Sequence, residues 1–215
     1  MSAEDPIRVV LVGTQHPGNI GSAARAMKTM GLTNLVLVAP KRYPDPEATA
    51  LAAGAVDILE QAHVVESLAE ALLGCTFVIG TSSRARSVAL PELAPRQAAE
   101  QLVVKSSGKQ VALLFGPERT GLENEDLQHC HACVLIPCNP EYASLNLASA
   151  VQVLSYEIRL QRIQQHRIAM PDAKPVETEV ANHEQMERFF SHLAQFMDDV
   201  DFHKGKPPEL VTQRL

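Results

Sequence analysis

No apolar run in this 215-residue sequence approaches the roughly 20 residues that a membrane-spanning helix needs, so no membrane partner is expected. The opening MSAEDPIRVV is acidic and passes straight into a strand pattern, which is not the layout of a secretory signal. Cysteines number only four, three of them between positions 130 and 138. In a chain with nothing secretory about it they predict reduced thiols and a cytoplasmic protein. Internal repeats and low-complexity segments are absent as well. What remains is ordinary for a globular chain: 46% hydrophobic and 20% charged residues, long enough for one sizeable core and an appendage.

The net charge of −6 does not exclude a nucleic-acid partner, because the acid is localised. Residues 170–201 hold eight acids and two bases, which accounts for the whole imbalance. Residues 79–119 are locally positive, with Arg84, Arg86, Arg96, Lys105, Lys109 and Arg119 against Glu92, Glu100 and Glu118. A basic patch of this kind binds phosphates whatever the total charge.

Short runs rich in Val, Ile and Leu predict strands at 7–12, 34–38, 76–80, 110–115 and 132–136, with a weaker one at 63–65. They are apolar throughout rather than alternating, as parallel strands covered on both faces are. Helical patterns at 20–30, 67–73, 95–104 and 122–129 lie between them, so an α/β domain with a mostly parallel sheet is expected. A long helix follows over 144–167, with Leu147, Val151, Leu154 and Ile158 on one face and Ser144 as the expected N-cap. The domain expectation is therefore 1–167 for the α/β unit, 168–182 for an acidic, proline-containing linker, and 183–215 for a helical extension. In that extension Met186, Phe189, Phe190, Leu193, Phe196 and Met197 form an apolar stripe that predicts packing. The final VTQRL stops in mid-pattern, so the expectation is an extension cut short.

Three clusters carry candidate chemistry. GTQHPGNIG (13–21) has the G-x-x-x-x-G outline of a phosphate loop, but Asn19 and Ile20 stand where that loop needs Lys and then Ser or Thr. A dinucleotide site is equally unsupported, because the second strand ends VLVAPKRY with no acid for ribose hydroxyls. These absences disfavour a flavodoxin-like nucleotide binder. In the following helix Arg25 points away from the apolar face of Ile20, Ala23, Ala24 and Met27, within two turns of Asn19. The second cluster, FGPERTGLENEDL (115–127), sets Glu118 at the end of a strand. The third, LIPCNPEYASLNLASA (135–150), sets Ser144 and Asn146 at the entrance of an otherwise apolar helix. Cys130 and Cys133 have C-x-x-C spacing, yet no second ligand pair accompanies them and no metal is expected.

Taken together, GNIGSAARAMKTMG, FGPERTGL and IPCNPEYASLNLASAVQVLSYE resemble the SPOUT superfamily, specifically its SpoU-type RNA 2'-O-methyltransferases. Within that group NPEYASLNLA and GTSSRARS resemble the TrmJ type. The resemblance spans about residues 7–167. It implies an α/β domain with a C-terminal deep trefoil knot, a homodimer, and S-adenosylmethionine held by the knot loops. Carried onto this chain, those loops are Thr81, Ser82 and Ser83, then Gly116, Pro117 and Glu118, then Ile136, and Ala143, Ser144, Leu145 and Asn146. The cofactor has no phosphate, so a backbone cradle without a lysine suits it. The implied reaction is methylation of a tRNA ribose 2'-hydroxyl, at pyrimidine nucleotide 32 of the anticodon loop for this type. Arg25 is the implied base or activator, organised with Asn19, Glu118, Ser144 and Asn146. Arginine stays protonated, so orienting the hydroxyl or a phosphate is the role its chemistry allows. Arg84, Arg86 and Tyr142, with Arg25, are the implied RNA contacts. The alternatives are an RNA-binding homologue without catalysis, disfavoured because all five residues are present, or a relative acting on another tRNA or rRNA nucleotide.

Overall fold

The apolar runs pair edge to edge into one sheet. In a computed structural model that describes residues 5–82, 89–142, 144–169, 181–200 and 202 (without the side chains of 166–169), seven strands are found. They are β1 (Ile7–Val12), β2 (Asn34–Val38), β3 (His63–Val65), β4 (Cys75–Ser82), β5 (Glu92–Leu93), β6 (Gln110–Phe115) and β7 (Ala132–Leu135). Every pairing is parallel, and the order is β3-β2-β1-β6-β4-β7-β5. Side chains alternate between two covered faces, which explains why the strands lack polar alternation. Val9, Leu11, Leu35, Leu37, Leu113 and Phe115 enter one core. Val10, Val36, Val38, Ala112 and Leu114 enter the other.

Eight α-helices are found among the described residues, the first seven in the same unit as the strands. They are α1 (Pro17–Met30), α2 (Pro46–Ala52), α3 (Val56–Glu60), α4 (Leu68–Ala71), α5 (Pro95–Lys105), α6 (Asn124–Leu127), α7 (Leu147–Ala169) and α8 (His183–Asp199). Proline opens α1, and Gly31 ends it in the left-handed conformation at φ 76°. The helix buries Ile20, Ala23, Ala24 and Met27, as its pattern predicted. Helix α2 lies so close to α1 that a Cβ on Gly21 would collide with the Ala48 carbonyl. Helices α2 and α3 and strand β5 are absent from the sequence reading. The α2 segment PEATALA buries only Ala48 and Ala52, too little apolar surface to leave a periodic signal. Its start is set by Asp45, whose carboxylate accepts the Glu47 amide at 2.9 Å. Leu147, Val151, Leu154 and Ile158 of α7 are all buried, each worth about 1.5–3 kcal/mol. Arg162 fastens the far end of α7 to the start of β1, 2.6 Å from Asp5 and 3.0 Å from the Gly31 carbonyl.

The chain divides into two compact units, Met1–Pro171 and Asp172–Leu215. In the second, Asn182 and Gln185 form a reciprocal capping box at the start of α8, each bond 2.9 Å. The packing expected of its apolar stripe is seen in part: Met197 is buried and Leu193 half-buried, while Met186, Phe189, Phe190 and Phe196 are exposed. A single 17-residue helix has no other described element of its own unit against which to bury that face. Among the described residues no helix is long and apolar enough to cross a membrane.

Candidate active site

Strand order reverses between β1 and β6, and in open parallel sheets the crevice at the carboxyl ends of such strands is where ligands bind. Two glycine turns leave the sheet there. Gly13 follows β1 with φ +57°, and its amide donates to the Val38 carbonyl at 2.8 Å. Gly116 follows β6, and a Cβ on it would collide with the backbone of Gly121 and Leu122. The segment from 116 to 121 therefore curls back on itself and carries Glu118 across to the first turn.

Glu118 settles what the phosphate-loop-like turn does. Its Oε2 accepts the Gln15 amide at 3.0 Å, and its Oε1 accepts the His16 amide at 3.1 Å and Asn19 Nδ2 at 2.8 Å. Helix α1 has no acid in its own first turn, and the His16 side chain makes no capping bond. A carboxylate from a loop 99 residues distant from Asn19 supplies the missing anion at that helix N-terminus. Two of the amides that could cradle a phosphate, those of Gln15 and His16, are thus already taken, and the absent lysine has no phosphate to neutralise.

The hydrogen bonds extend with fixed polarity. Asn146 Oδ1 accepts the amides of Ala148 (2.9 Å) and Ser149 (3.4 Å), so Asn146, not Ser144, caps α7. The correction has a simple cause: Ser144 lies three residues before Leu147, outside the first turn, while Asn146 directly precedes it. With its oxygen committed, Asn146 offers Nδ2 to Asn19 Oδ1 at 2.9 Å. Asn19 in turn has only Nδ2 left for Glu118. The relay ends on Glu118, whose two oxygens accept every bond they make here, the pattern that favours an ionised carboxylate. Burial pushes its pKa up, but the bonds from Asn19, Gln15 and His16 outweigh burial and hold it below the ordinary glutamate value.

Beside the relay opens a cavity of about 840 Å3. Of the residues expected to hold a cofactor, Thr81, Ser82, Gly116, Pro117, Glu118, Ile136, Ser144 and Leu145 line it. Asn146 is outside the wall, tied to it through Asn19 and Glu118. Ser83, Ala143, Arg84 and Arg86 lie outside the described residues. Arg25 is exposed on α1, away from the cavity wall, and its guanidinium makes no hydrogen bond or ion pair among the described residues. Tyr142 is 79% exposed. The structure therefore joins Asn19, Glu118 and Asn146, sets Ser144 at the cavity, and leaves Arg25 and Tyr142 apart from both.

Several contributors were not found in the sequence. The Gln15 and His16 amides bind Glu118, and Phe115, Arg119, Thr120, Gly121, Glu123, Asn124, Glu125, Cys138, Leu147 and Ala150 add to the cavity wall. The signal for most of them was the unbroken run from Phe115 to Glu125, whose two glycines mark a loop folded on itself. The backbone amides had no signal, since any residue supplies one. Cys138 stands in the cavity wall, while burial pushes the Cys130 thiol up to about 12.

Comparison with known proteins places this geometry. Residues 6–156 match the SpoU rRNA Methylase family. The tRNA (cytidine/uridine-2'-O-)-methyltransferase TrmJ of Sodalis glossinidius is 50% identical over 210 residues, which is 97% of this chain and 81% of that protein. The crystal structure of TrmJ from Z. mobilis ZM4 superposes with a TM-score of 0.68 at 36% identity, covering 96% of this chain and 86% of that one. The SpoU methyltransferase AviRb from Streptomyces viridochromogenes, solved with the cofactor AdoMet, gives 0.62 at 26% identity, over 75% of this chain and 62% of that one.

Proposed function

The chain belongs to the SpoU rRNA Methylase family, and from that premise we propose that it is a tRNA ribose 2'-O-methyltransferase using S-adenosylmethionine. The proposed target is the ribose 2'-hydroxyl of the cytidine or uridine at position 32 of the anticodon loop. The observation that carries the reading is the glycine-walled cavity joined through Glu118 to the Asn19–Asn146 relay. The TrmJ relatives supply the substrate class, by identity over 97% and 96% of this chain.

The cavity suits the cofactor on its own chemistry. Gly116 leaves room for backbone to approach closely, Phe115, Ile136 and Leu145 offer apolar surface to an adenine, and Thr81, Ser82 and Ser144 offer hydroxyls to a ribose. No phosphate site is provided, and none is needed. When bound, S-adenosylmethionine supplies an electrophilic methyl group on a positively charged sulfur. The protein's part is positional. Glu118, held ionised, fixes the turn of residues 13–19 against the cavity, and Asn146 fixes the entrance of α7 to the same point. Ser144 stands where that entrance meets the cavity. Arg25 is assigned to orient the ribose hydroxyl or a neighbouring phosphate, and Arg84, Arg86 and Tyr142 to hold the anticodon loop.

The same reading includes a deep trefoil knot in the second half of the sheet unit and a homodimer. It assigns 1–167 to the methyltransferase domain, 168–182 to a linker and 183–215 to a helical extension. The test is incubation of a tRNA transcript with radiolabelled S-adenosylmethionine, followed by mapping of the labelled nucleotide. The expected outcome is one 2'-O-methyl group at position 32, greatly reduced by Arg25→Ala. Label on ribosomal RNA alone would transfer the reading to the family's other substrates, and a wild-type chain that binds the cofactor but labels no RNA would overturn it.

A further inference from the structure

The cavity wall changes character in one direction along the sheet. Neighbouring strands run β6-β4-β7, so the loop after β6, the end of β4 and the segment from β7 into α7 stand side by side at the cavity. On the β6 side the wall carries charge, in Arg119, Glu123 and Glu125. At the end of β4 it carries the hydroxyls of Thr81 and Ser82. On the β7 side it is mostly apolar, with Ile136, Leu145 and Leu147. Adjacent strands are about 4.8 Å apart, so the passage from charged to apolar takes about 10 Å.

The charged end is fixed by its backbone rather than by pairing of its side chains. The Gly121 amide donates to the Pro117 carbonyl at 2.8 Å and closes the turn that bears Arg119. The Glu123 amide donates to Asp126 Oδ2 at 2.9 Å, and the Glu123 carbonyl accepts the Leu127 amide at 3.0 Å. Within that frame Arg119 and Glu123 both line the cavity and are exposed, and neither side chain is ion-paired among the described residues. Opposite charges elsewhere do close on each other, as Lys28 does on Asp57 at 2.8 Å. Glu118, a further acid of the wall, is already committed to the turn after β1. Two unlike charges that share one cavity wall without neutralising each other are the complement of a zwitterion.

Resting on the methyltransferase reading above, we propose that Arg119 and Glu123 bind the amino-acid end of S-adenosylmethionine, the guanidinium taking its carboxylate and the Glu123 carboxylate its ammonium. The cofactor is built as a charged amino acid, a hydroxyl-bearing ribose and a flat adenine, and the wall offers matching groups in that order from β6 to β7. The planar fork of an arginine meets a carboxylate through two parallel hydrogen bonds. Total charge agrees with the assignment. The wall holds three carboxylates against one guanidinium, and the cofactor, with its sulfonium, carries a net positive charge. The same wall would repel the phosphates of a nucleotide. Glu125 adds to this field without a contact being assigned to it.

The experiment measures by calorimetry how wild type, Arg119→Ala, Arg119→Lys and Glu123→Gln bind S-adenosylmethionine, S-adenosylhomocysteine and 5'-methylthioadenosine. The last two share the adenosine and a neutral thioether, and of these only S-adenosylhomocysteine has the amino-acid end. Wild type should bind S-adenosylhomocysteine at least about 10-fold more tightly than 5'-methylthioadenosine, the scale of hydrogen bonds to charged groups. Arg119→Ala and Glu123→Gln should each weaken S-adenosylmethionine and S-adenosylhomocysteine about 10-fold and leave 5'-methylthioadenosine within about twofold. Arg119→Lys, which keeps the charge and loses the fork, should recover only part of the loss. Both side chains are exposed, so the variants should unfold at the wild-type temperature and the comparison is between folded proteins. An equal loss for all three ligands would overturn the proposal, because the residues would then act by shaping the loop. So would unchanged affinity for all three, including the case in which Arg119→Ala weakens only tRNA and is thereby an RNA contact. A wild type that binds none of the three ligands would overturn the reading of function itself, a result separable from any behaviour of the variants.

Discussion

The turns after β1 and β6 leave adjacent parallel strands at the same edge of the sheet, and each begins with glycine for a different reason. Gly13 needs its freedom of dihedral angle, at φ +57°, and a Cβ there would meet only Pro117 Cγ at 3.2 Å. Gly116 is outside the left-handed region and needs space, because the backbone of Gly121 and Leu122 occupies the position of its missing side chain. The outcomes differ as well. The first turn is closed by an internal anion, Glu118, while the second opens onto the cavity. A glycine-rich turn at a strand end is therefore not in itself a ligand cradle; what decides is whether the protein's own groups already satisfy its amides.

Three measurements would break or sharpen that contrast. Gly116→Ala has the largest expected effect, because a backbone clash cannot be relieved by rotating a side chain. It should cost about 3 kcal/mol in denaturant unfolding and abolish measurable cofactor binding. Survival of both would show that the loop tolerates expansion. Gly13→Ala should cost about 1–2 kcal/mol, the penalty of the left-handed conformation for a residue with a Cβ. Since Gly13 is outside the cavity wall, cofactor affinity should remain within about twofold, less than half of one kcal/mol. A large loss of affinity would mean the two turns act as one. The smallest effect is the acid response of Glu118. Its folded-state pKa is lowered, so its stabilisation is present above the unfolded glutamate pKa and is lost as pH falls through the folded value. The stability difference between wild type and Glu118→Gln should be constant from about pH 8 to 5 and narrow below about pH 4. A difference independent of pH would mean that the carboxylate acts by shape rather than charge.

The sheet was legible because its strands are buried on both faces. Runs at 7–12, 34–38 and 110–115 are apolar because of that burial, and the structure places strands on those same residues, as it does on the more exposed run at 63–65. Helix α2 was not legible, since alanines packed against a glycine helix give no amphipathic contrast. The four-residue α6 replaces the longer helix expected over 122–129, the flanking residues being drawn into the folded-back loop beside Gly116. At the site, the identities of Asn19, Glu118, Ser144 and Asn146 stood out in the sequence, but their wiring did not. Which oxygen each amide presents follows from the cap of α7, a detail of backbone position that no residue pattern encodes.

The relay also sets a timetable for the chain. Asn19 waits 99 residues for Glu118 and 127 for Asn146. On a ribosome the segment from β1 to α2 emerges early and can pack locally, since domains form from the N-terminal side as they appear. The start of α1 nevertheless stays without its anion until β6 has been inserted beside β1. The two asparagines then meet only after the first turn of α7 has been synthesised, and that late, long-range closure is the slow kind of contact. Until then α1 lacks its anion and α7 its tie, so a nascent chain passes through most of its synthesis folded in part and catalytically mute.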